Sequence, residues 1–126
     1  GGWLRGLGAA IAAAGVAGET VADAQLARWK RDPDRRGAVC DAGLWAYSRH
    51  PNYFFEWCVW LGHAVYGAAF APWGLIAVGG QAVILGSLLK VTGIPATEAQ
   101  AVRSKGDAYR RYQATTRAFV PLPRRR

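Results

Sequence analysis

From Trp3 to about Val21 the chain is almost continuously apolar and small, rich in Ala and Gly, until Glu19, Asp23 and Gln25 restore polar positions. A hydrocarbon core takes about 20 apolar residues of helix, and small residues suit close helix packing in lipid. The stretch therefore predicts a helix over 1–32 that leaves the membrane through Asp23, Gln25 and Leu26, with Pro33 and its predecessor favouring a stop. A second apolar run, Tyr53 to Val91, is too long for one crossing and suits two. Ala71-Pro72-Trp73-Gly74 supplies turn chemistry near its middle, so a hairpin over 52–91 is expected, with helices at roughly 52–69 and 73–91. Past Gly93-Ile94-Pro95, Thr97 and Gln100 have the spacing of a capping box. An amphipathic helix and tail are expected over 95–120, ended by Pro121 and Pro123 and weakened at Gly106. Its Tyr109, Tyr112, Thr116 and Phe119 recur at spacings of three and four, a stripe expected on the membrane-facing side.

Charge sharpens this picture. Every Lys and Arg except Arg5 lies between Arg28 and Arg49 or between Lys90 and Arg126. From His50 to Leu89 the only charged side chain is Glu56. An exposed helix in water needs polar residues about every turn, whereas a bilayer removes that need. The fold class expected is an all-α integral membrane bundle, with about three transmembrane helices and a C-terminal amphipathic helix. Both basic clusters, the loop over 33–51 and the C-terminal segment, then fall on one side, the cytoplasmic one by the positive-inside rule. Arg31, Arg36 and Arg124 to Arg126 need no other explanation. The aromatic set Trp57, Trp60, Tyr66 and Trp73 fits interface belts or helix packing.

The 126 residues suffice for one compact unit. Methionine is absent, so the chain is expected to begin inside a longer reading frame, and the Ala, Gly and Arg content suggests a bacterial source. No signal peptide is evident. Cys40 and Cys58 have no metal-ligand spacing and read as structural. The net charge of +8 invites a nucleic-acid reading, but the basic residues flank apolar spans instead of lining one groove, and no recognition motif is present.

The run that carries chemistry is Gly43-Leu44-Trp45-Ala46-Tyr47-Ser48-Arg49-His50-Pro51-Asn52-Tyr53-Phe54-Phe55-Glu56-Trp57. Pro51 suits the first turn of a helix, where its missing N–H costs nothing. Asn52 and Glu56, four apart, share a helix face. Glu56 is the sole acid in an apolar segment and is expected to face the bundle interior with a partner. An amide beside a carboxylate suits a planar carboxamide; the plainer reading is a hydrogen bond that ties two helices together.

This run resembles the GLW-x-Y-(S/T)-RHPNY-x-G-E signature of bacterial steroid 5-alpha-reductase-like membrane proteins. Gly93-Ile94-Pro95-x-x-Glu98 with Arg103, Gly106-Asp107-x-Tyr109-x-x-Tyr112 and Phe119-x-Pro121 is similar to that family's C-terminal signature, and Glu19-Thr20-x-x-Asp23-x-Gln25 with Lys30 to its segment before the basic loop. The resemblance implies a bundle that binds NADPH from the cytoplasmic side and passes hydride to a conjugated carbon–carbon double bond of a steroid-like or other lipid-like enone. It implies Asn52 and Glu56 at the nicotinamide carboxamide, and Asp23, Lys30 and Arg35 at the adenosine and phosphate end. Arg49, His50 and Tyr53 would line the cofactor cavity, while Glu98, Arg103, Tyr109 and Tyr112 would close over it. Tyr109 and Tyr112 are also candidate proton donors, since a phenol can act as an acid toward a substrate carbonyl. One position departs from the signature: Phe55 stands where relatives have Gly, so either its ring turns outward to lipid or the chain is a variant with altered or lost activity. Two other readings stand beside the reductase. One is an isoprenylcysteine carboxyl methyltransferase-like enzyme using S-adenosylmethionine, which shares the Arg-His-Pro-x-Tyr element. The other is a non-catalytic membrane module.

Overall fold

The computed structural model describes residues 2–35, 37–70, 74–91 and 93–123. Its helices are α1 (Gly2–Arg31), α2 (Pro51–Ala68), α3 (Gly74–Gly86), which runs on as a π-helical turn over Ser87–Val91, α4 (Ile94–Lys105) and α5 (Asp107–Thr115). Short 3-10 turns at Pro33–Arg35 and Gly43–Ala46 shape the loop between α1 and α2. No strand forms among the described residues; Ser48 and Arg117 make an isolated parallel bridge. The expected turn at Ala71-Pro72-Trp73, together with Arg36 and Arg124 to Arg126, lies outside the described residues.

Two described stretches, Gly2–Arg31 and Val78–Lys105, are long and apolar enough to cross a membrane. At 1.5 Å per residue α1 reaches about 45 Å, more than a hydrocarbon core requires. The second helix of the expected three, α2, is not among them. Asn52, Glu56 and His63, with tryptophans and tyrosines whose polar N–H and O–H groups make them less hydropathic than aliphatic residues, dilute Val59, Leu61 and Val65 in this helix.

α1 and α2 pack antiparallel through small residues. A Cβ at Gly8 would come within 2.5 Å of the Gly62 carbonyl oxygen, and one at Gly15 within 2.7 Å of the Phe55 carbonyl oxygen. Gly8, Gly15 and Ala22, seven apart, are the buried positions of α1, so one face of the helix lies on its neighbour while Trp3 and Val16 face away. The Phe55 ring sits against Gly18, where any side chain would collide with it. Phe55 thus turns inward onto α1, not outward to lipid, and the missing side chain at Gly18 makes its room. Beyond α2, α3 also runs antiparallel, with the Gln81 amide donating to the Trp57 carbonyl at 3.3 Å. Its Ile76 and Val83 are each 72% exposed.

The C-terminal segment differs from the expected single helix in three ways. The helix begins at Ile94, capped without a side chain, because Pro95 sits in its first turn. Thr97 therefore lies inside the helix, donating back to the Gly93 carbonyl at 2.8 Å, and Gln100 accepts from Arg103, so no capping box forms. Gly106, at φ 58°, then breaks the helix in two, a left-handed conformation that glycine adopts without strain. Finally, α5 ends at Thr115, and the chain is extended at Thr116. The stripe Tyr109, Tyr112, Thr116 and Phe119 is buried, but inside the protein and not against a membrane.

Candidate functional site

The loop ahead of α2 is clamped onto the end of α1. Gly43 has φ 62°, and a side chain there would run into the Gln25 amide at 2.6 Å. Instead the Leu44 N–H donates to Gln25 Oε1 at 2.9 Å, and the Trp45 indole N–H donates to the Ala22 carbonyl at 3.0 Å. These contacts give the Gly-Leu-Trp run and Gln25 a shared structural purpose. From the other side, the buried Tyr112 hydroxyl donates toward the carbonyls of Trp45 and Ser48. Ser48 Oγ donates to the Phe119 carbonyl at 2.7 Å and accepts from the His50 N–H at 3.0 Å. The Arg49 N–H donates to the Arg117 carbonyl at 2.8 Å. These paired buried groups favour one geometry, and what they hold is the start of α2 at Pro51, where proline is tolerated.

On that start sits a compact polar cluster. Arg49 Nη2 lies 3.0 Å from Glu98 Oε1, and His50 Nε2 lies 3.2 Å from Glu98 Oε2. The Tyr109 hydroxyl donates to the same carboxylate. Burial by itself would raise the Glu98 carboxyl, but the adjoining His50 ring, the Tyr109 hydroxyl and the Arg49 charge outweigh it and hold the group below its ordinary value. Burial, and then the Glu98 carboxylate it donates to, push the Tyr109 phenol up. Burial does the same to Tyr112. Both phenol protons are therefore committed, one to a carboxylate and one to backbone carbonyls. The His50 and Tyr53 rings stack at 5.4 Å, and the Tyr53 hydroxyl lies 3.0 Å from Thr97 Oγ1.

Beside the cluster opens a cavity of about 280 Å³. Eight of the residues singled out in the sequence line it: Lys30 and Arg35 from the α1 end, Arg49, His50, Asn52 and Tyr53 from the start of α2, and Tyr109 and Tyr112 from α5. Four do not. Glu98 lies behind the wall, bound to Arg49, His50 and Tyr109. Asp23 is exposed on α1. Arg103 is exposed and donates to Gln100 at 2.9 Å. Glu56 is exposed, near Glu19, and does not face the interior with a partner as expected. Of the pair on this helix face, Asn52 lines the cavity and Glu56, one turn further along α2, does not.

The cavity also takes in residues that motif reasoning gave no site role. Trp29, with Trp45 of the motif run, forms apolar wall, Cys40 lines it while largely buried, and Lys105 enters from the end of α4. Arg35 stacks over the Trp29 ring at 4.4 Å and lies 3.4 Å from Asp32. Lys105 shares one face of α4 with Thr97 and Ala101, each four residues apart, and all three line the cavity. The lining includes four cations, Lys30, Arg35, Arg49 and Lys105, and no Asp or Glu. Among the described residues no group of three or more His, Cys, Asp or Glu side chains is placed to hold a metal ion.

A family model described as Protein of unknown function (DUF1295) matches residues 2–116. The chain belongs to this family. The match covers α1 to α5, so every element that builds the cavity of this DUF1295 chain lies within the family's common region. No curated protein and no solved structure matches the chain.

Proposed function

We propose that this DUF1295 chain is the cofactor-binding part of a membrane reductase of the steroid 5-alpha-reductase type, which uses NADPH to reduce a conjugated carbon–carbon double bond in a steroid-like or other lipid-like enone. The observation that carries the reading is the cavity lining: four cations, no acid, and flat aromatic walls around Asn52. Such a lining matches a ligand that is polyanionic and planar at once. S-Adenosylmethionine carries a sulfonium cation and no phosphate, so the same lining argues against the methyltransferase. A non-catalytic module gives no reason for paired aromatic rings and an Asn amide inside a basic cavity.

The residues present fit one end of a dinucleotide better than the whole of it. Pockets that bury most of a drug-sized ligand run to roughly 300–1,000 Å³, and this one is about 280 Å³. Lys30, Arg35 and Arg49 would hold phosphate oxygens, and Asn52 would pair with the carboxamide without Glu56. The stacked His50 and Tyr53 rings supply a planar wall. When bound, NADPH supplies the hydride; a proton completes the addition across the double bond. Tyr109 and Tyr112 are assigned to holding the cavity wall and not to giving that proton, since each hydroxyl is already donating inside the protein. The apolar stretches at Gly2–Arg31 and Val78–Lys105 support a membrane location. Segregation of Arg and Lys to the two loop-side segments supports a cytoplasmic-facing cavity, with a bacterial plasma membrane as the proposed setting.

The test is oxidation of NADPH by the full-length protein in detergent with a panel of lipid-like enones. The expected result is enone-dependent oxidation with one saturated product per NADPH, weakened in Asn52→Ala. Methyl transfer from S-adenosylmethionine with no NADPH oxidation would replace the reductase by the methyltransferase.

A further inference from the structure

The tail that follows α5 runs along the segment that opens α2. Thr116 is extended and buried, the Arg117 carbonyl accepts from the Arg49 N–H at 2.8 Å, and the Leu122 N–H donates to the Tyr47 carbonyl at 3.2 Å. Between them the buried Phe119 ring packs on Phe54 at 5.5 Å and on Trp57 at 6.0 Å. These contacts fix the depth of the tail. Phe55, beside Phe54 in α2, packs on α1 at Gly15 and Gly18, and the apolar stretch of α1 ends there, at Glu19. The tail is therefore docked where apolar helix gives way to polar positions, the level at which acyl chains meet headgroups.

At that level the tail exposes Val120 and Leu122, and Tyr47 is exposed beside them. Arg117 precedes them and has no ion pair among the described residues. Its Nε is buried without a hydrogen-bond partner, whereas its Nη atoms are not among the buried unpaired ones. A covered stem with an open charged tip is the geometry of an arginine that snorkels from an apolar surface toward headgroups. Three further arginines follow at 124–126 in the sequence, so the charge of the tail suits an anionic leaflet.

We infer that the tail over 117–122, with Tyr47, is a membrane-contact surface. Val120, Leu122 and Tyr47 meet the acyl boundary, and Arg117 pairs with the phosphate of an anionic lipid in the leaflet where α2 begins. The inference rests on the membrane location proposed above and not on the cofactor or the reaction. The helix expected to lie on the membrane turns its aromatic stripe inward, and the contact passes to the residues that follow it.

The experiment places a bimane fluorophore on Val120→Cys, in a Cys58→Ser background, in the full-length protein. The protein is reconstituted into nanodiscs of equal parts phosphatidylcholine and phosphatidylglycerol. Quenching is read with an acyl-chain nitroxide carried on either lipid, and with aqueous iodide. Val83→Cys on the exposed face of α3 is the lipid control, and Arg110→Cys on the surface of α5 is the aqueous one. The label at 120 is expected to be quenched by lipid as at 83, shielded from iodide, and quenched more by phosphatidylglycerol than by phosphatidylcholine. One basic residue near an anionic surface is worth roughly fivefold in lipid preference, so Arg117→Ala should lower that ratio about fivefold. Arg117→Lys, which keeps the charge, should retain most of it. Iodide quenching at 120 equal to that at 110, an equal response to the two lipids, or a preference unchanged in Arg117→Ala would overturn the inference. Escape of the label at 83 from lipid quenching would instead overturn the membrane location, and the inference with it.

Discussion

Along α1 and α2 the chain is held by the absence of side chains: Gly8, Gly15 and Gly62 let two backbones meet, and Gly18 leaves room for the Phe55 ring. Around the cavity it is held by side chains bonded to backbone and to one another, with Trp45, Ser48, Tyr109, Tyr112 and Glu98 each committed to a partner. The first region is tolerant in chemistry and strict in volume. The second is strict in chemistry, since each of these groups loses a partner if its neighbour changes. The comparison separates what makes the helices associate from what shapes a site, and it predicts different failures for the two regions.

The largest effect should come from Glu98→Ala, which strands Arg49 and His50. Removing one partner of a fully buried ion pair costs about 3–5 kcal/mol, and for this partly buried pair the lower end of that range, about 3 kcal/mol, is expected from thermal or denaturant unfolding in detergent. The pH dependence sharpens this. Because Glu98 is held below its ordinary value of 4.5, its stabilisation is complete above that value and is lost as the pH falls through the lowered one. Wild type should lose stability on acidification in that range, and Glu98→Gln, already weaker at neutral pH, should lose less. Next comes Gly15→Leu in the other region, where the new side chain meets α2 backbone that cannot yield; overpacking of this kind costs about 1–3 kcal/mol. Trp45→Phe keeps most of the apolar contact and removes one indole hydrogen bond to the Ala22 carbonyl, for about 0.5–1.5 kcal/mol. The smallest effect belongs to Val83→Ala on the exposed face of α3, expected within about 0.5 kcal/mol of wild type in detergent.

Much of the architecture was legible because its cause is local. Charge segregation marks the apolar stretches, Pro51 marks the start of α2, and the motif run does collect around one cavity. What was hidden depends on contacts between distant segments. A three-and-four spacing at Tyr109, Tyr112, Thr116 and Phe119 reads the same whether the stripe meets lipid or protein, and here Trp45, Ser48 and Trp57 take it up. Gly106 was visible as a weak point, but its positive φ, which lets α5 leave the line of α4 and bring Tyr109 to Glu98, was not. Glu56 was placed by its spacing from Asn52, but of the two only Asn52 lines the cavity, while Glu56 is exposed on α2. Phe55 looked like an obstacle because its counterpart, Gly18, lies 37 residues earlier.

The central claim, that the basic cavity holds NADPH, is tested most directly by the melting temperature of the full-length, detergent-solubilised protein with NADPH, NADH or S-adenosylmethionine. A ligand at 100 times its Kd adds about 2.7 kcal/mol to stability. NADPH is predicted to raise the melting temperature most, NADH less and S-adenosylmethionine not at all, with the NADPH shift reduced in Asn52→Ala. A shift with S-adenosylmethionine alone, or none with any of the three, would contradict the account.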